Sequence, residues 1–147
     1  MSIYAHVLCA ADFSGTGDVA AFRAAALARQ SGARFSLLHV VEYFPGERSN
    51  QRIPPEDVDP AIYETRRASE RLAELAARVG MPEAGVQVST CENAAWHRVL
   101  EFAEAEGVDL IVLGRHGRHG ATALLGATAA AVQQRARCDV LTVCRGR

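Results

Sequence analysis

The segment Gly114–Thr128 holds the residues whose types and spacing are best suited to chemistry. Its glycines are Gly114, Gly117, Gly120 and Gly126. Glycine lets a backbone approach a phosphate closely and adopt positive φ, and the first N–H groups of a helix have no partner inside that helix. Arg115 and Arg118 add positive charge. The pattern therefore indicates an anion site, although the same glycines would also suit a tight turn and a close contact between helix and strand.

A second segment whose residues could take part in binding or catalysis is Asp12–Gly17. Its sequence is DFSGTG, and it follows the first apolar run. Together with Asp18 it resembles the SGGxDS pyrophosphate loop of ATP pyrophosphatases, but Thr16 replaces a glycine and Val19 replaces the final serine. An enzyme that adenylates a substrate therefore stays open as an alternative. Two other nucleotide folds are not indicated, since the chain lacks both the GxxxxGK[ST] of P-loop NTPases and a GxGxxG after the first strand.

The other polar residues do not suggest a catalytic or metal-binding set. The serines stand in no GxSxG, and no local Cys/His signature of a nucleophile is present. His116 and His119 are three residues apart, but arginines flank them and no third ligand lies near them in sequence. His39, inside an apolar run, is expected to be a structural histidine. We therefore expect no catalytic residues and no metal ligands.

The composition is that of a globular protein, and the length of 147 residues fits a single domain over residues 1–147. Lys and Arg number 16 against 17 Asp and Glu, without a long block of one sign, which argues against nucleic acid and membrane surfaces as partners. The amino-terminal apolar run ends at Asp12, too early for a signal peptide or a membrane span, so we expect a cytoplasmic protein. The four cysteines lack metal-binding spacing and are expected to be reduced core thiols.

Hydrophobic periodicity predicts five strands that alternate with four helices. The predicted strands are Val7–Ala11, Phe35–Val41, Val86–Thr90, Leu110–Leu113 and Val140–Cys144, and the predicted helices are Asp18–Ser31, Ala61–Val79, Trp96–Glu106 and Thr122–Arg135. Glu42–Asp59, with three prolines, is predicted to be a long exposed loop. Unbroken apolar runs are typical of buried parallel strands, and right-handed crossovers between them produce a doubly wound sheet. Ligands of such sheets bind beyond the carboxyl ends of the strands, where the winding reverses.

These motifs resemble those of the universal stress protein family. In that family the first strand ends in an Asp followed closely by a Ser, the second ends in His-Val, and the fourth runs into G-x-x-G, a spacer and G-[ST]. The matching residues here are Asp12 with Ser14, His39 with Val40, Gly114 with Gly117, and Gly126 with Ala127 and Thr128. The sequence CDVLTV, residues 138–143, also resembles the last strand of the family.

The resemblance implies both a fold and a nucleotide site. The expected fold is α/β, with a doubly wound, five-stranded parallel sheet of strand order 3-2-1-4-5 and helices on both faces. Asp12 and the Val40 backbone would border adenine and ribose. The residues that would border the ribose and the phosphates are Gly114, Arg115, Gly117, Arg118, Gly126, Ala127 and Thr128. The spacer before Gly126 is shorter than usual, and Ala127 stands where the family has a hydroxyl, which Thr128 supplies from the adjacent position.

The resemblance also implies a function, namely that of an ATP-binding module in stress response and signalling. Mg²⁺ would be bound through the phosphates, and catalysis would be absent or limited to weak ATP hydrolysis. Because the last strand of the family commonly pairs across a two-fold axis, Val140–Cys144 is expected to form a homodimer, and a further, unidentified protein partner is expected. A dimeric interaction protein of the same fold that binds no nucleotide stays open as the alternative.

Overall fold

Strands and helices alternate along the chain in a computed structural model that describes residues 2–42, 59–116 and 125–145. The strands are β1 (His6–Ala10), β2 (Arg34–Glu42), β3 (Gly85–Cys91), β4 (Leu110–Gly114) and β5 (Asp139–Val143). The helices are α1 (Gly15–Ser31), α2 (Pro60–Arg78), α3 (Trp96–Ala105) and α4 (Ala127–Arg135). The predicted order of elements is confirmed, and every strand ends within one residue of its predicted bounds.

The five strands pair in parallel in the order β3-β2-β1-β4-β5, which confirms the predicted doubly wound α/β fold. The chain winds from β1 outward to β3, returns to the centre and then winds from β4 to β5. β1 is therefore central, and its Val7 lies opposite both Phe35 of β2 and Leu110 of β4. The winding reverses between β1 and β4, so the crevice expected to bind ligands lies at their carboxyl ends.

Two apolar layers cover the two faces of the sheet, because successive side chains of a strand point to opposite sides. Val7 and Cys9 pack with α1 and α2 on one face, whereas Leu8 and Ile111 pack with α3 and α4 on the other. All four side chains are fully buried. α1 presents small side chains to its layer, the buried residues Ala20, Ala21, Ala24, Ala25 and Ala28. This arrangement explains why the central strands read as unbroken apolar runs.

Polar contacts hold the amino end of β1, at the edge of the sheet opposite the crevice. The carboxylate of Asp109 accepts the N–H groups of Ala5 and His6 at 2.8 and 3.0 Å. Partial burial raises the pKa of Asp109, but these backbone hydrogen bonds outweigh it and leave the pKa below its ordinary value. The buried His6 ring bonds the Ser36 hydroxyl and the Glu106 carbonyl oxygen. The polar atoms of His6 are thereby satisfied by neighbouring elements.

Two helices begin three or more residues away from their predicted starts. α1 begins at Gly15 rather than Asp18, because the Ser14 hydroxyl caps the helix by accepting the Gly17 N–H at 3.0 Å. α4 begins at Ala127 rather than Thr122, because Gly126 is extended, with φ −62° and ψ 160°. The predicted loop Glu42–Asp59 lies outside the described residues except at its two ends. In the three described ranges, no helix has the length and apolarity needed to span a bilayer.

Candidate functional site

The carboxyl ends of β1 and β4 lie side by side, since Ala10 is paired with Leu113 in the parallel ladder. α1 leaves the end of β1 toward one face of the sheet, and the connection from β4 leads to α4 on the other face. The amino termini of both helices therefore lie at the same edge of the sheet. Helix amino termini carry positive potential, so this crevice is suited to an anionic ligand.

Asp12 organises the turn that leads from β1 into α1. Its Oδ1 accepts the backbone N–H of Ser14 at 2.9 Å and the Ser14 hydroxyl at 2.6 Å, while Ser14 in turn caps Gly17. A Cβ atom on Gly17 would overlap Oδ1 of Asp12, so the absence of a side chain at Gly17 permits this contact. Both hydrogen bonds use Oδ1. The second carboxylate oxygen, Oδ2, makes no hydrogen bond within the described residues.

The end of β1 is fastened to β2 beyond the last residue of the strand. The Ala11 N–H donates to the Leu38 carbonyl at 2.8 Å, and Nδ1 of His39 donates to the Ala11 carbonyl at 2.6 Å. His39 is thus the satisfied structural histidine that the sequence predicted. Val40 follows it, half-buried near the end of β2, and packs against the layer that contains α3 and α4.

Phe13 takes a backbone conformation that the sequence did not predict. Its φ is +62°, a left-handed value that costs energy for a residue with a Cβ. Its ring lies 4.3 Å from the His39 ring, centroid to centroid, and the Arg71 guanidinium lies 4.1 Å from the Phe13 centroid. Left-handed turns are normally indicated by Gly, Asn or Asp, so no local feature of the sequence predicts the positive φ of Phe13.

The end of β4 is fastened to β5 and to the start of α4. The Arg115 N–H donates to the Val143 carbonyl, and the Gly126 N–H donates to the Arg115 carbonyl, both at 2.9 Å. These two amides are therefore engaged within the chain and do not contribute to an anion site. The N–H groups of Ala127 and Thr128 precede the first i to i−4 bond of α4, which Ala130 donates to Gly126.

Among the described residues, no side chain caps the amino terminus of α4, in contrast to that of α1. Gly126 stands at the N-cap position and has no side chain that could accept a hydrogen bond. The first amides of α4 are therefore donors that a ligand oxygen can satisfy. Gly117 and Arg118, which belong to the predicted site, lie outside the described residues.

Positive groups surround the crevice on the side of β4 and β5. Nη1 of Arg115 lies 3.7 Å from the Cys144 sulfur. The Arg145 guanidinium packs over Gly15 in the first turn of α1, so close that a Cβ there would approach Cζ to 3.3 Å. His116 carries a buried Nε2 that has no hydrogen-bond partner among the described residues. Buried polar atoms are normally paired, so Nε2 is a candidate contact for a ligand.

The cysteines are free thiols, as predicted, but they are not equally buried. Burial, with a smaller contribution from Asp12 and Asp18, raises the pKa of Cys9 to about 12, so this thiol stays protonated. Cys91 is also buried, Cys138 is partly buried, and Cys144 is exposed just beyond the end of β5. The prediction that all four are core thiols is therefore wrong for Cys144, because the strand ends one residue earlier.

Two concave surfaces lie away from the crevice. One follows the outer side of α2, and the other, a cavity of about 540 Å³, lies beyond the ends of β2 and β3. The described residues that line them include none of the predicted nucleotide site. Four carboxylates and one guanidinium line the second cavity, those of Asp59, Glu64, Glu92, Glu101 and Arg98, and this excess of negative charge disfavours phosphate there. Within the described ranges, no group of three or more metal-binding side chains is present.

The chain matches a known protein family over nearly its whole length. The model of the Universal stress protein family matches residues 3–143. Among curated proteins, universal stress protein A homolog 1 of Coxiella burnetii is 35% identical over 140 residues, which make up 95% of this chain and 96% of the relative. The match therefore includes both strand ends of the crevice.

Solved structures show the same fold. The universal stress protein UspA from Lactobacillus plantarum superposes with a TM-score of 0.72 at 22% identity, covering 97% of this chain and 99% of that one. A universal stress protein in complex with cAMP gives 0.70 at 24% identity, over 97% and 98% of the two chains. The universal stress protein of Archaeoglobus fulgidus in complex with dAMP gives 0.62 at 19% identity, over 97% and 99%.

Proposed function

We propose, from the premise that this chain belongs to the universal stress protein family, that it binds an adenine nucleotide in the crevice between β1 and β4. In this proposal the nucleotide is ATP, and the protein acts as a stress-response and signalling module. The single observation that carries the proposal is the uncapped amino terminus of α4, which lies at the same edge of the sheet as the carboxylate of Asp12.

The phosphates are assigned to the β4 side. The N–H groups of Ala127 and Thr128 supply hydrogen bonds there, and the dipole of the nine-residue helix α4 favours negative charge. The Thr128 hydroxyl stands one residue after the position where the family has its hydroxyl. Gly114, Arg115 and Gly126 form the backbone that presents α4 to the ligand, and Gly117 and Arg118 remain predicted members of the site.

The nucleoside is assigned to the β1 and β2 side. Oδ2 of Asp12 can accept hydrogen bonds from ribose hydroxyl groups, because Oδ1 is already engaged with Ser14. A carboxylate would repel phosphate, which supports placing the ribose rather than the phosphates beside Asp12. The backbone of Val40, near the end of β2, is assigned to the adenine edge.

Mg²⁺ is proposed to enter with the phosphates and to be held by them and by water. Catalysis is proposed to be absent or limited to slow hydrolysis of ATP. The ligands named for two solved neighbours, cAMP and dAMP, are both adenine nucleotides and support an adenine ligand in this chain.

A homodimer through β5 is the second part of the proposal. β5 is an edge strand of the sheet, and its Val140 and Leu141 are only half-buried in the single chain. Apolar edge strands tend to pair with another chain, and a two-fold pairing would cover this edge in both copies. A cytoplasmic location and a separate protein partner complete the proposal.

Titration calorimetry with ATP, ADP and AMP tests nucleotide binding. The informative variant is Ala127→Pro, because proline at the first helical position removes one N–H while preserving the helix, and the extended Gly126 suits a residue before proline. We expect the dissociation constant for ATP to rise about tenfold through the loss of one charge-assisted hydrogen bond. The control Thr128→Val, which keeps its N–H, separates the amides from the hydroxyl. Absence of binding at millimolar nucleotide would refute the proposal.

A dimeric interaction protein without nucleotide is the second candidate. The observation in its favour is that the amides of Arg115 and Gly126 are already engaged in backbone hydrogen bonds. It predicts a dimer in sedimentation velocity whose mass and stability do not respond to ATP. An adenylating enzyme would be recognised instead by the release of pyrophosphate and AMP from ATP.

A further inference from the structure

We infer that Phe13 is a positioning residue of the site, which holds Asp12 in the orientation that receives the nucleoside. The inference rests on the proposed function and adds to it a residue that does not itself contact the ligand. It starts from the one described residue other than glycine with a left-handed φ, which directly follows Asp12. Strained backbone persists only where surrounding contacts enforce it, and such positions are frequent at functional sites.

Three elements enforce the conformation of Phe13. The ring packs against the His39 ring of β2 at an interplanar angle of 35°, and the guanidinium of Arg71 reaches it from α2. The ring is also partly buried against the apolar layer that contains α1 and α2. A cation over an aromatic face and a ring pair at this distance are both attractive, so these contacts oppose the cost of positive φ.

The conformation of Phe13 determines where the carboxylate of Asp12 points. On one side of Asp12, Ala11 is fixed to β2 through Leu38 and His39. On the other side, the turn at Phe13 brings Ser14 back so that its N–H and its hydroxyl both reach Oδ1 of Asp12. If the backbone at Phe13 relaxed to negative φ, Ser14 would move away from Oδ1 and the carboxylate would be free to rotate. Phe13 therefore acts on the site through Asp12.

The variant that isolates this role is Phe13→Gly. Glycine adopts positive φ without strain, so the backbone can keep its path while the ring that enforces it is lost. The bond from His39 to the Ala11 carbonyl does not involve Phe13, so the end of β1 stays attached to β2. Phe13→Tyr keeps the ring and serves as the conservative variant. Phe102→Leu is the matched control, because Phe102 is a partly buried ring in the opposite layer.

We expect Phe13→Gly to raise the dissociation constant for ATP about tenfold, the scale of one hydrogen bond to a charged group. Phe13→Tyr and Phe102→Leu should stay within about twofold of the wild-type affinity. In the ligand-free protein, the amide resonances of Ser14 and Gly17 should broaden or shift in Phe13→Gly only.

A double-mutant cycle with Asp12→Ala separates positioning from general destabilisation. Because Phe13 acts through Asp12, removal of the ring should weaken binding further by less than about twofold once the carboxylate is gone. The inference is overturned if Phe13→Gly binds ATP as tightly as the wild type, or if its effect is the same with and without Asp12. If the wild-type protein binds no nucleotide, the proposed function and this inference fall together. If Phe13→Gly binds ATP normally, or if its effect does not depend on Asp12, only this inference falls and the proposed function stands.

Discussion

The two strand ends that border the crevice meet their helices in opposite ways. At the end of β1, Ser14 caps α1, and Asp12 and Gly17 form a closed set of contacts around that cap. At the end of β4, α4 begins after Gly126, an N-cap residue that has no side chain to serve as a cap. At the first end, the N–H groups of Ser14 and Gly17 bond to side chains of the same turn, whereas at the second end the N–H groups of Ala127 and Thr128 are proposed to bond to a ligand. This difference supports the proposed assignment of the phosphates to α4 and of the nucleoside to the side of Asp12.

We expect the largest loss of stability from Gly17→Ala, which disturbs the contacts around Asp12 at the end of β1. The new Cβ would overlap Oδ1 of Asp12, so the carboxylate would have to leave its bonds with Ser14. We expect the free energy of unfolding to fall by about 1–3 kcal/mol, as in other overpacked sites, and urea denaturation would measure this.

Gly15→Ala is the matched control for that substitution. The described atoms nearest to its Cβ would be those of the Arg145 guanidinium, which lies at the end of a flexible side chain and can move aside. The change in stability should stay within about 0.5 kcal/mol of zero. If Gly15→Ala and Gly17→Ala lowered the free energy of unfolding equally, the close packing of Gly17 against Asp12 would be contradicted.

Ser14→Ala should have an intermediate effect, because it removes the cap of α1 but adds no atoms. Loss of an N-cap side chain typically costs about 1 kcal/mol, and thermal or urea unfolding would detect it. Ser69→Ala, at an exposed position of α2, serves as the control and should be nearly neutral. If Ser14→Ala were as neutral as Ser69→Ala, the contrast between the two helix ends would be wrong.

The smallest expected effect on stability comes from Gly126→Ser, which gives α4 the kind of cap that α1 has. Gly126 has negative φ and an extended backbone, so serine fits there without strain. Serine is only a few tenths of a kcal/mol better than glycine at an N-cap, so stability should rise by about that much. Nucleotide affinity should fall severalfold, because the new hydroxyl competes with phosphate for the amides. Tighter binding of ATP would count against the assignment of phosphates to these amides.

The amino-acid sequence alone determined the architecture. Apolar runs marked the three interior strands β1, β2 and β4 to within one residue, because central parallel strands are buried on both faces and tolerate few polar side chains. The alternation of strands with amphipathic helices, together with the family motifs, predicted the strand order and placed Asp12 and Gly114 at the ends of β1 and β4. The start of α4 was placed too early, because Gly126, inside the predicted helix Thr122–Arg135, has an extended backbone and is the N-cap of α4.

Only the tertiary structure decided which groups at the crevice are engaged and which are open. The Arg115 N–H donates to Val143 in β5, and the Gly126 N–H donates to Arg115 on the other side of a loop. Nothing in the local sequence predicts either hydrogen bond. The positive φ of Phe13 arises from His39 and Arg71, which are 26 and 58 residues away in the sequence. Local propensity describes what a segment prefers by itself, whereas a strained turn or an occupied amide results from contacts that exist only after the sheet has assembled.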